Sequence, residues 1–391
     1  MIPRIAQKTL LTLAQGFPIV SITGPRQSGK TTLAKACFSD KPYVTLEDPD
    51  VREYANSDPR AFLAQYSDGA VLDEIQRSPI LFSYLQGIVD KDKRMGLFVL
   101  TGSQQFSLRS GISQSLAGRV GMIHLLPFSQ RELSQVKLLS DELDTQLFQG
   151  SYPPVYDRKL KPSQWYANYV STYLEKDVRQ LINIKDISLF QRFLRICAHH
   201  VGQLVNLSRL ANDCGVSYHT VESWLSVLEA SYIIVRLQPW YKNFNKRLVK
   251  TPKLYFYDTG LASWLLGIRD VEQIRFHAMR GALFENYIIS EAFKSQFNQG
   301  ETPEIWFWRD RSGHEVDLII EYQGKYSAVE IKSGSTLSNS QFKALRYWQD
   351  MTKNNESSLL IYGGDATQQR SGIEVIPWKQ LELLPWEIVK D

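Results

Sequence analysis

"PIVSITGPRQSGKTT", residues 18–32, decides how the chain is read. Its first six residues form a short apolar run of the buried-strand kind, and "TTLAKACF" opens a helix. Between them Gly24, Gly29, Lys30 and Thr31 match the spacing G-x-x-x-x-G-K-[ST]. Glycine lets the backbone fold tightly, so that successive N–H groups converge on phosphate oxygens. The start of the helix adds the positive end of its dipole. In this reading Lys30 reaches the β- and γ-phosphates of ATP, the Thr31 hydroxyl holds Mg²⁺, and Thr32 follows as a further nucleotide contact. A Gly-rich turn that binds nothing is the alternative, and the strand–loop–helix frame disfavours it.

A phosphate loop needs an acidic partner. "GAVLDEIQ", residues 69–76, is an apolar strand ending in Asp73 and Glu74. Asp73 suits the second shell of Mg²⁺, and Glu74 suits activation of the attacking water. "GLFVLTGSQQ", residues 96–105, is another buried strand, and Thr101, Ser103 or Gln104 at its end is placed to sense the γ-phosphate. "SLAGR" puts Arg119 before a fifth strand, as an arginine finger toward a neighbouring subunit's ATP or as a plain surface arginine. The finger would require a homo-oligomer. Strands and helices alternate from residue 18 to about 136, which predicts a parallel sheet covered on both faces. "LEDPD", residues 46–50, reads as a strand end and helix cap.

The chain has 391 residues, 43% apolar and 22% charged, so several ordinary globular domains are expected. A net charge of +4 says little about partners, and local charge runs matter more. Cys37, Cys197 and Cys214 show no paired spacing, which suits a reducing cytoplasm without a disulfide frame or zinc site. No apolar run approaches the roughly 18 residues of a membrane span, and the N-terminus reads as an amphipathic helix without a secretory signal.

"GSYPPVY", residues 150–156, marks a boundary. Residues 164–182 read as one amphipathic helix, with Trp165, Tyr169, Tyr173 and Leu174 on a core-facing stripe. Residues 205–237 then read as a winged helix-turn-helix. Leu207, Leu210 and Ala211 face inward, Gly215 makes the turn, and Ser217 caps a second helix carrying Val221, Trp224, Leu225 and Leu228. That second helix has no Lys or Arg over 217–229, and Glu222 and Glu229 oppose phosphate contact. Downstream, Arg236, Lys242, Lys246, Arg247, Lys250 and Lys253 run without an intervening acid, interleaved with Trp240, Tyr241 and Phe244. Such a segment fits contact with a nucleic-acid backbone, DNA above all. Packing or subunit contact is the alternative use.

In the last third, residues 279–294 read as a buried helix through Leu283, Tyr287, Ile288 and Phe293, with Glu285 on another side. Residues 304–334 read as three strands with turns at "RSG" and "QGK". Asp317 interrupts the apolar run "EVDLII", which is costly unless the carboxylate is paired or bound to metal. In "AVEIKSG" Glu330 and Lys332 share one strand face. Asp317, Glu330 and Lys332 make the D…E-x-K pattern of metal-dependent nucleases. The carboxylates supply hard ligands for Mg²⁺ or Mn²⁺, Lys332 steadies the water or the phosphorane, and Glu285 completes the metal site.

On these motifs the chain resembles bacterial and archaeal ATP-binding proteins that join an AAA-type ATPase to a C-terminal domain of unknown function. The shared features are the "GPRQSGKTTL" loop, "LDEIQ", "TGS", "SLAGR", the winged helix and the restriction-endonuclease-like end. The usual AAA lid with its sensor arginine is not evident. The resemblance implies an α/β chain of three parts: an AAA-type P-loop parallel-sheet domain over 1–150, a helical linker and winged helix over 151–275, and a PD-(D/E)xK restriction-endonuclease-like domain over 276–391. It implies ATP at Gly24, Gly29, Lys30, Thr31, Asp73 and Glu74, and a nuclease-like site at Glu285, Asp317, Glu330 and Lys332. Two functions follow as expectations: an ATPase acting on DNA, whose end domain cleaves or only grips it, or a nucleotide-dependent switch that binds a protein partner.

Overall fold

The computed structural model describes residues 2–102, 115–158, 160–174, 186–240, 249–322, 325–352 and 357–384. The chain divides into two compact units. One comprises Met1–Phe128, Ala230–Tyr232 and Gln296–Thr302, and the other Ser129–Glu229, Ile233–Ser295 and Pro303–Asp391.

The first unit holds a five-stranded sheet of β1 (Ile19–Thr23), β2 (Tyr43–Thr45), β3 (Ala70–Asp73), β4 (Phe98–Gly102) and β5 (Val120–His124). The order is β2-β3-β4-β1-β5, and every pair is parallel. The apolar runs of β1, β3 and β4 are buried throughout, as a parallel sheet covered on both faces requires. Alternate residues serve two cores. Ile19, Leu72, Phe98 and Leu100 pack with Phe62, Phe82 and Leu85. Val20, Ile22, Val71 and Val99 pack with Ala6, Leu10 and Leu33 on the other face. Asp48 caps the helix Pro49–Ser57 by accepting from Asp50 N, which accounts for "LEDPD". Because β4 lies between β1 and β3, the ends of these three strands form one polar edge at Thr23, Asp73 and Thr101.

The second unit begins with helices. Of the stretch expected as one helix over 164–182, the described part is an α-helix over Pro162–Tyr169 that runs on into a wider π turn over Val170–Leu174, and residues 175–182 lie outside the described residues. The Ser171 and Thr172 hydroxyls take the Asn168 carbonyl, which a regular ladder would give to a backbone N–H. Trp165 and Tyr169 are buried, stacked 5.0 Å apart between ring centroids, and Tyr152 packs against both, so these two residues of the stripe are core, while the side chains of Tyr173 and Leu174 lie outside the described ones. Helices Ile187–His199, Leu207–Cys214 and Tyr218–Ala230 precede the antiparallel pair β6 (Ile234–Leu237) and β7 (Lys253–Phe256). Gly215 ends the middle helix at φ 73°, and Ser217 Oγ accepts from Thr220 N at the start of the next.

The C-terminal sheet has the order β12-β13-β11-β10-β9-β8. Its strands are β8 (Ile305–Arg309), β9 (Glu315–Tyr322), β10 (Lys325–Lys332), β11 (Ser358–Tyr362), β12 (Gln368–Arg370) and β13 (Ile373–Pro377). The first three are the strands expected over 304–334. One core joins Trp308, Val316, Ala328, Trp348 and Leu360 with Trp240, which is therefore a packing residue and not a surface for bases.

Asp258 ties the turn at Gly150 to the helix Thr259–Leu265. It is buried and accepts from Ser151 N (2.6 Å), Leu261 N (2.7 Å) and the Tyr166 hydroxyl (2.7 Å). Replacing it with alanine strands three buried donors, so Asp258→Ala should cost about 3 kcal/mol or more. Urea unfolding of the full chain checks this, and a loss below about 1 kcal/mol contradicts it.

Candidate nucleotide site and carboxylate cluster

Gly24 (φ 151°) and Gly29 (φ 97°) give the loop after β1 its shape. A Cβ on Gly24 would stand 2.1 Å from the Leu125 carbonyl oxygen, so that position admits only glycine. Lys30 opens the helix Lys30–Cys37 and folds back over the loop, where Nζ donates to the Gly24 (3.0 Å) and Pro25 (2.7 Å) carbonyls. Ser28 Oγ is buried in the same loop with no hydrogen-bond partner among the described residues, as a group meant for a phosphate oxygen would be. Thr32 is exposed on the first helical turn. Arg4 was not anticipated from the sequence. Its Nη1 donates to Ser28 O and its Nη2 to Leu126 O, each at 2.6 Å, while the guanidinium lies over the Phe128 ring.

Asp73 is the hub opposite the loop. The Thr31 hydroxyl lies 3.3 and 3.2 Å from its two oxygens, the Tyr43 hydroxyl donates to Oδ2 at 2.6 Å, and the Thr101 hydroxyl donates to Oδ1. Thr101 is thus the residue of its strand that joins the site, while Ser103 and Gln104 lie outside the described residues. Burial and the Asp73 carboxylate push the Tyr43 phenol well above its ordinary value, so it stays a donor. Glu74 follows in left-handed backbone at φ 55°, its carboxylate accepting from the Gln76 amide. Burial pushes the Glu74 carboxyl up, and Lys30 and Arg26 pull it back in part. Thr31 and Asp73 offer the hydroxyl and carboxylate that Mg²⁺ takes, and the loop offers the cradle for phosphates. The residues present therefore fit both ATP and its ion.

Arg119 stands apart from these residues within its own chain, and a finger toward a neighbouring subunit's ATP does not require it to join them. It precedes β5, and Ile19 N at the start of β1 donates to its carbonyl. It sits at the opposite end of a parallel sheet from the loop, roughly 15 Å away along the strands. Its guanidinium is paired with Asp90 at 2.6 and 3.0 Å.

In the second unit the sheet gathers acids. The register of β8 on β9 shifts between Trp306, opposite Ile319, and Trp308, opposite Val316. Asp317 and Leu318 lie at this irregularity, where a strand departs from regular pairing. Asp317 Oδ2 accepts from Ile331 N at 2.9 Å. Lys332 Nζ lies 3.5 Å from Asp317 and 2.5 Å from Glu330. The structure thus brings Asp317, Glu330 and Lys332 together. Glu330 Oε2 is buried without a hydrogen-bond partner among the described residues, as an oxygen reserved for a proton or cation would be. Burial opposes the Lys332 charge, but Asp317 and Glu330 outweigh it and raise the ammonium above its ordinary value.

Glu285 stands in the helix Arg280–Asn298 near these acids, and burial raises its carboxyl. Its Oε1 is taken by Lys253 Nζ (3.0 Å) and the Tyr255 hydroxyl. Among the described residues no three His, Cys, Asp or Glu side chains stand ready around one ion. The expected three-carboxylate cage of Glu285, Asp317 and Glu330 is thus not formed here: Lys332 contacts Asp317 and Glu330, and Lys253 holds Glu285.

The basic run also changes character. Lys253 is buried and paired with Glu285 and Glu315, so it is no surface contact for phosphates. Arg236 is paired with Glu229 (2.6 Å) and Glu222 (3.5 Å). Lys250 is exposed, and Lys242, Lys246 and Arg247, with Tyr241 and Phe244, lie outside the described residues.

Parallel sheet, phosphate loop and acidic strand define an AAA-type P-loop ATPase domain, and residues 16–134 match an AAA domain family (AAA_14). Residues 140–272 and 280–381 match domains of unknown function, DUF8612 and DUF4143. An uncharacterized protein of Mycobacterium tuberculosis is 32% identical over 327 residues, 83% of this chain and 72% of its own length, and a Mycobacterium bovis protein matches equally. The chain belongs to the family of these mycobacterial proteins. A Haemophilus influenzae protein is 25% identical over 294 residues, 71% of this chain and 68% of its own. Among solved structures, a Walker-type ATPase of Pyrococcus abyssi is 14% identical, with a TM-score of 0.46 over 68% of this chain and 96% of its own. AMPPCP-bound DnaA from Aquifex aeolicus is 15% identical, with a TM-score of 0.31 over 57% of this chain and 86% of its own. Among the described residues no helix is long and apolar enough to cross a membrane.

Burial, with Asp317 next in weight, pushes the Glu330 carboxyl from the ordinary 4.5 up to about 8. The folded chain then keeps a proton that the unfolded chain has lost. The stability this contributes is complete below about 4.5 and disappears as pH rises through about 8. Thermal midpoints measured across that window should fall in the wild type and fall less in Glu330→Gln. Parallel curves for the two proteins would contradict the assignment.

Proposed function

We propose that this protein is an AAA-type ATPase that binds and hydrolyses ATP with Mg²⁺ and acts on DNA, its second unit supplying a winged helix and a PD-(D/E)xK nuclease-like domain. The observation that carries the ATPase part is Asp73, whose oxygens are met by the Thr31 hydroxyl from the phosphate loop and the Thr101 hydroxyl from β4. Lys30 exchanges the carbonyls of Gly24 and Pro25 for phosphate oxygens when nucleotide enters. Thr31 and Asp73 hold the ion, which neutralises charge on the phosphates. Glu74 takes the proton of the attacking water. Burial moves its carboxyl toward the working pH, which favours that role.

For the second unit, Asp317 and Glu330 are the candidate ligands of Mg²⁺ or Mn²⁺, with Lys332 beside them as the cation for the scissile phosphate. Glu285 supports this site from its helix while held by Lys253. Phosphate contact is assigned to Lys242, Lys246, Arg247 and Lys250. A second reading has its own support. The helix Tyr218–Ala230 carries no Lys or Arg, and Arg236 and Lys253 are spent on internal carboxylates. That balance favours a nucleotide-dependent switch binding a protein partner through the winged helix and an inactive nuclease fold.

Lys30→Ala should abolish ATP binding in a fluorescent-nucleotide titration. Glu74→Gln should retain binding and lose turnover by about 10²-fold or more. A wild type that does not hydrolyse ATP with or without DNA ends the ATPase reading.

The DNA reading predicts affinity that falls steeply with salt, and Lys246→Glu with Arg247→Glu should weaken binding to all sequences and flatten that slope. Binding that ignores salt and both substitutions would transfer the case to the protein-partner switch.

A further inference from the structure

Lys253 is placed by its neighbours in a different role from the rest of the basic run. It lies on β7, two residues before Tyr255 and on the same strand face. Its side chain is only 3% exposed. Nζ is 3.0 Å from Glu285 Oε1 and in direct contact with Glu315 Oε1. The Tyr255 hydroxyl donates to the same Glu285 oxygen. An ammonium from β7 thus joins a helix carboxylate to a carboxylate of β9.

Lys332 does the same between Asp317 and Glu330. Arg309 takes the remaining Glu315 oxygen at 3.0 Å. Four carboxylates therefore share three cations, and Glu330 Oε2 is left buried without a hydrogen-bond partner among the described residues. Buried carboxylates demand positive charge, from metal or from side chains. A lysine ammonium supplies it without a binding equilibrium, because it is part of the chain.

We infer that Lys253 is a built-in cation occupying the second of two cation positions in this cluster. Glu285 and Glu315 are its ligands, and Asp317 with Glu330 is the position for a divalent ion, which takes the Glu330 Oε2 that has no hydrogen-bond partner among the described residues and displaces the Lys332 ammonium from between the two carboxylates. The latter clause rests on the cation reading of Asp317 and Glu330 given above. The role of Lys253 toward Glu285 and Glu315 does not. On this inference any phosphate chemistry at the site is of the single-ion kind, with a fixed ammonium where a second ion would stand.

The test counts Mn²⁺ bound to the full chain without nucleotide, using the electron paramagnetic resonance signal of free Mn²⁺. Lys253→Met should bind about one more ion per chain than the wild type, since it removes the ammonium shared by two half-buried carboxylates. Lys253→Arg keeps the charge and should show no gain. Adding Glu285→Gln to Lys253→Met should cancel the gain. Any ion at the phosphate loop is common to all these chains and drops out of the differences. Equal counts in the wild type and a folded Lys253→Met, or a gain in Lys253→Arg, overturn the inference. If Lys253→Met does not fold in EDTA, recovery of its native circular dichroism on adding Mn²⁺ supports it, and failure to recover with Mn²⁺ overturns it. The wild-type count should drop in Asp317→Ala. An unchanged count there removes the ion from Asp317 and Glu330, while the comparison at Lys253 still decides the role of the lysine.

Discussion

Asp73 is buried at the end of β3, and three segments far apart in sequence bring hydroxyls to its carboxylate. A buried carboxylate needs donors or cations, and here the nearest partners are neutral. Thr31, Tyr43 and Thr101 satisfy its oxygens geometrically while leaving its charge for a cation. The sheet order makes this convergence possible. With β4 between β1 and β3, the strand carrying Thr101 stands beside both the phosphate loop and the acidic strand. The Gly24 turn, the fold of Lys30 over the loop and the left-handed Glu74 all sit around this point.

The second unit answers the same constraint with lysines. Asp317, Glu330, Glu285 and Glu315 meet Lys332, Lys253 and Arg309, so all but one of the carboxylate charges are offset inside the chain. The two solutions differ in consequence. Neutral donors around Asp73 leave room for an exchangeable ion. Fixed ammonium groups fill much of that room in the C-terminal cluster. The same spending of cations lowers the surface charge that the basic run over 236–253 suggests from composition.

Local readings hold where the physics is local. A glycine with forbidden φ, a helix cap and an apolar strand each depend on residues within a few positions, so the phosphate loop, the acidic strand and the three strands of 304–334 are legible directly. Even the meeting of Glu330 with Lys332 follows from strand periodicity alone. In the described part of the helix expected over 164–182, the ladder widens to a π turn where the Ser171 and Thr172 hydroxyls donate to the Asn168 carbonyl, which an apolar stripe does not reveal.

The sequence by itself determined the chemistry available: a phosphate cradle, an Asp–Glu pair, and a D…E-x-K set on strands. Tertiary structure alone decided which partners those groups have. Arg4 reaches Leu126 across 122 positions, Tyr43 finds Asp73 from a neighbouring strand, and Arg119 pairs with Asp90. Lys253, which composition assigns to a surface, is drawn inward by Glu285 and Glu315. The reason is physical. Pairing of buried charges depends on distances of a few ångströms between elements, and those distances are set by strand order, register and the irregularity at Asp317, none of which is written in any one stretch of residues.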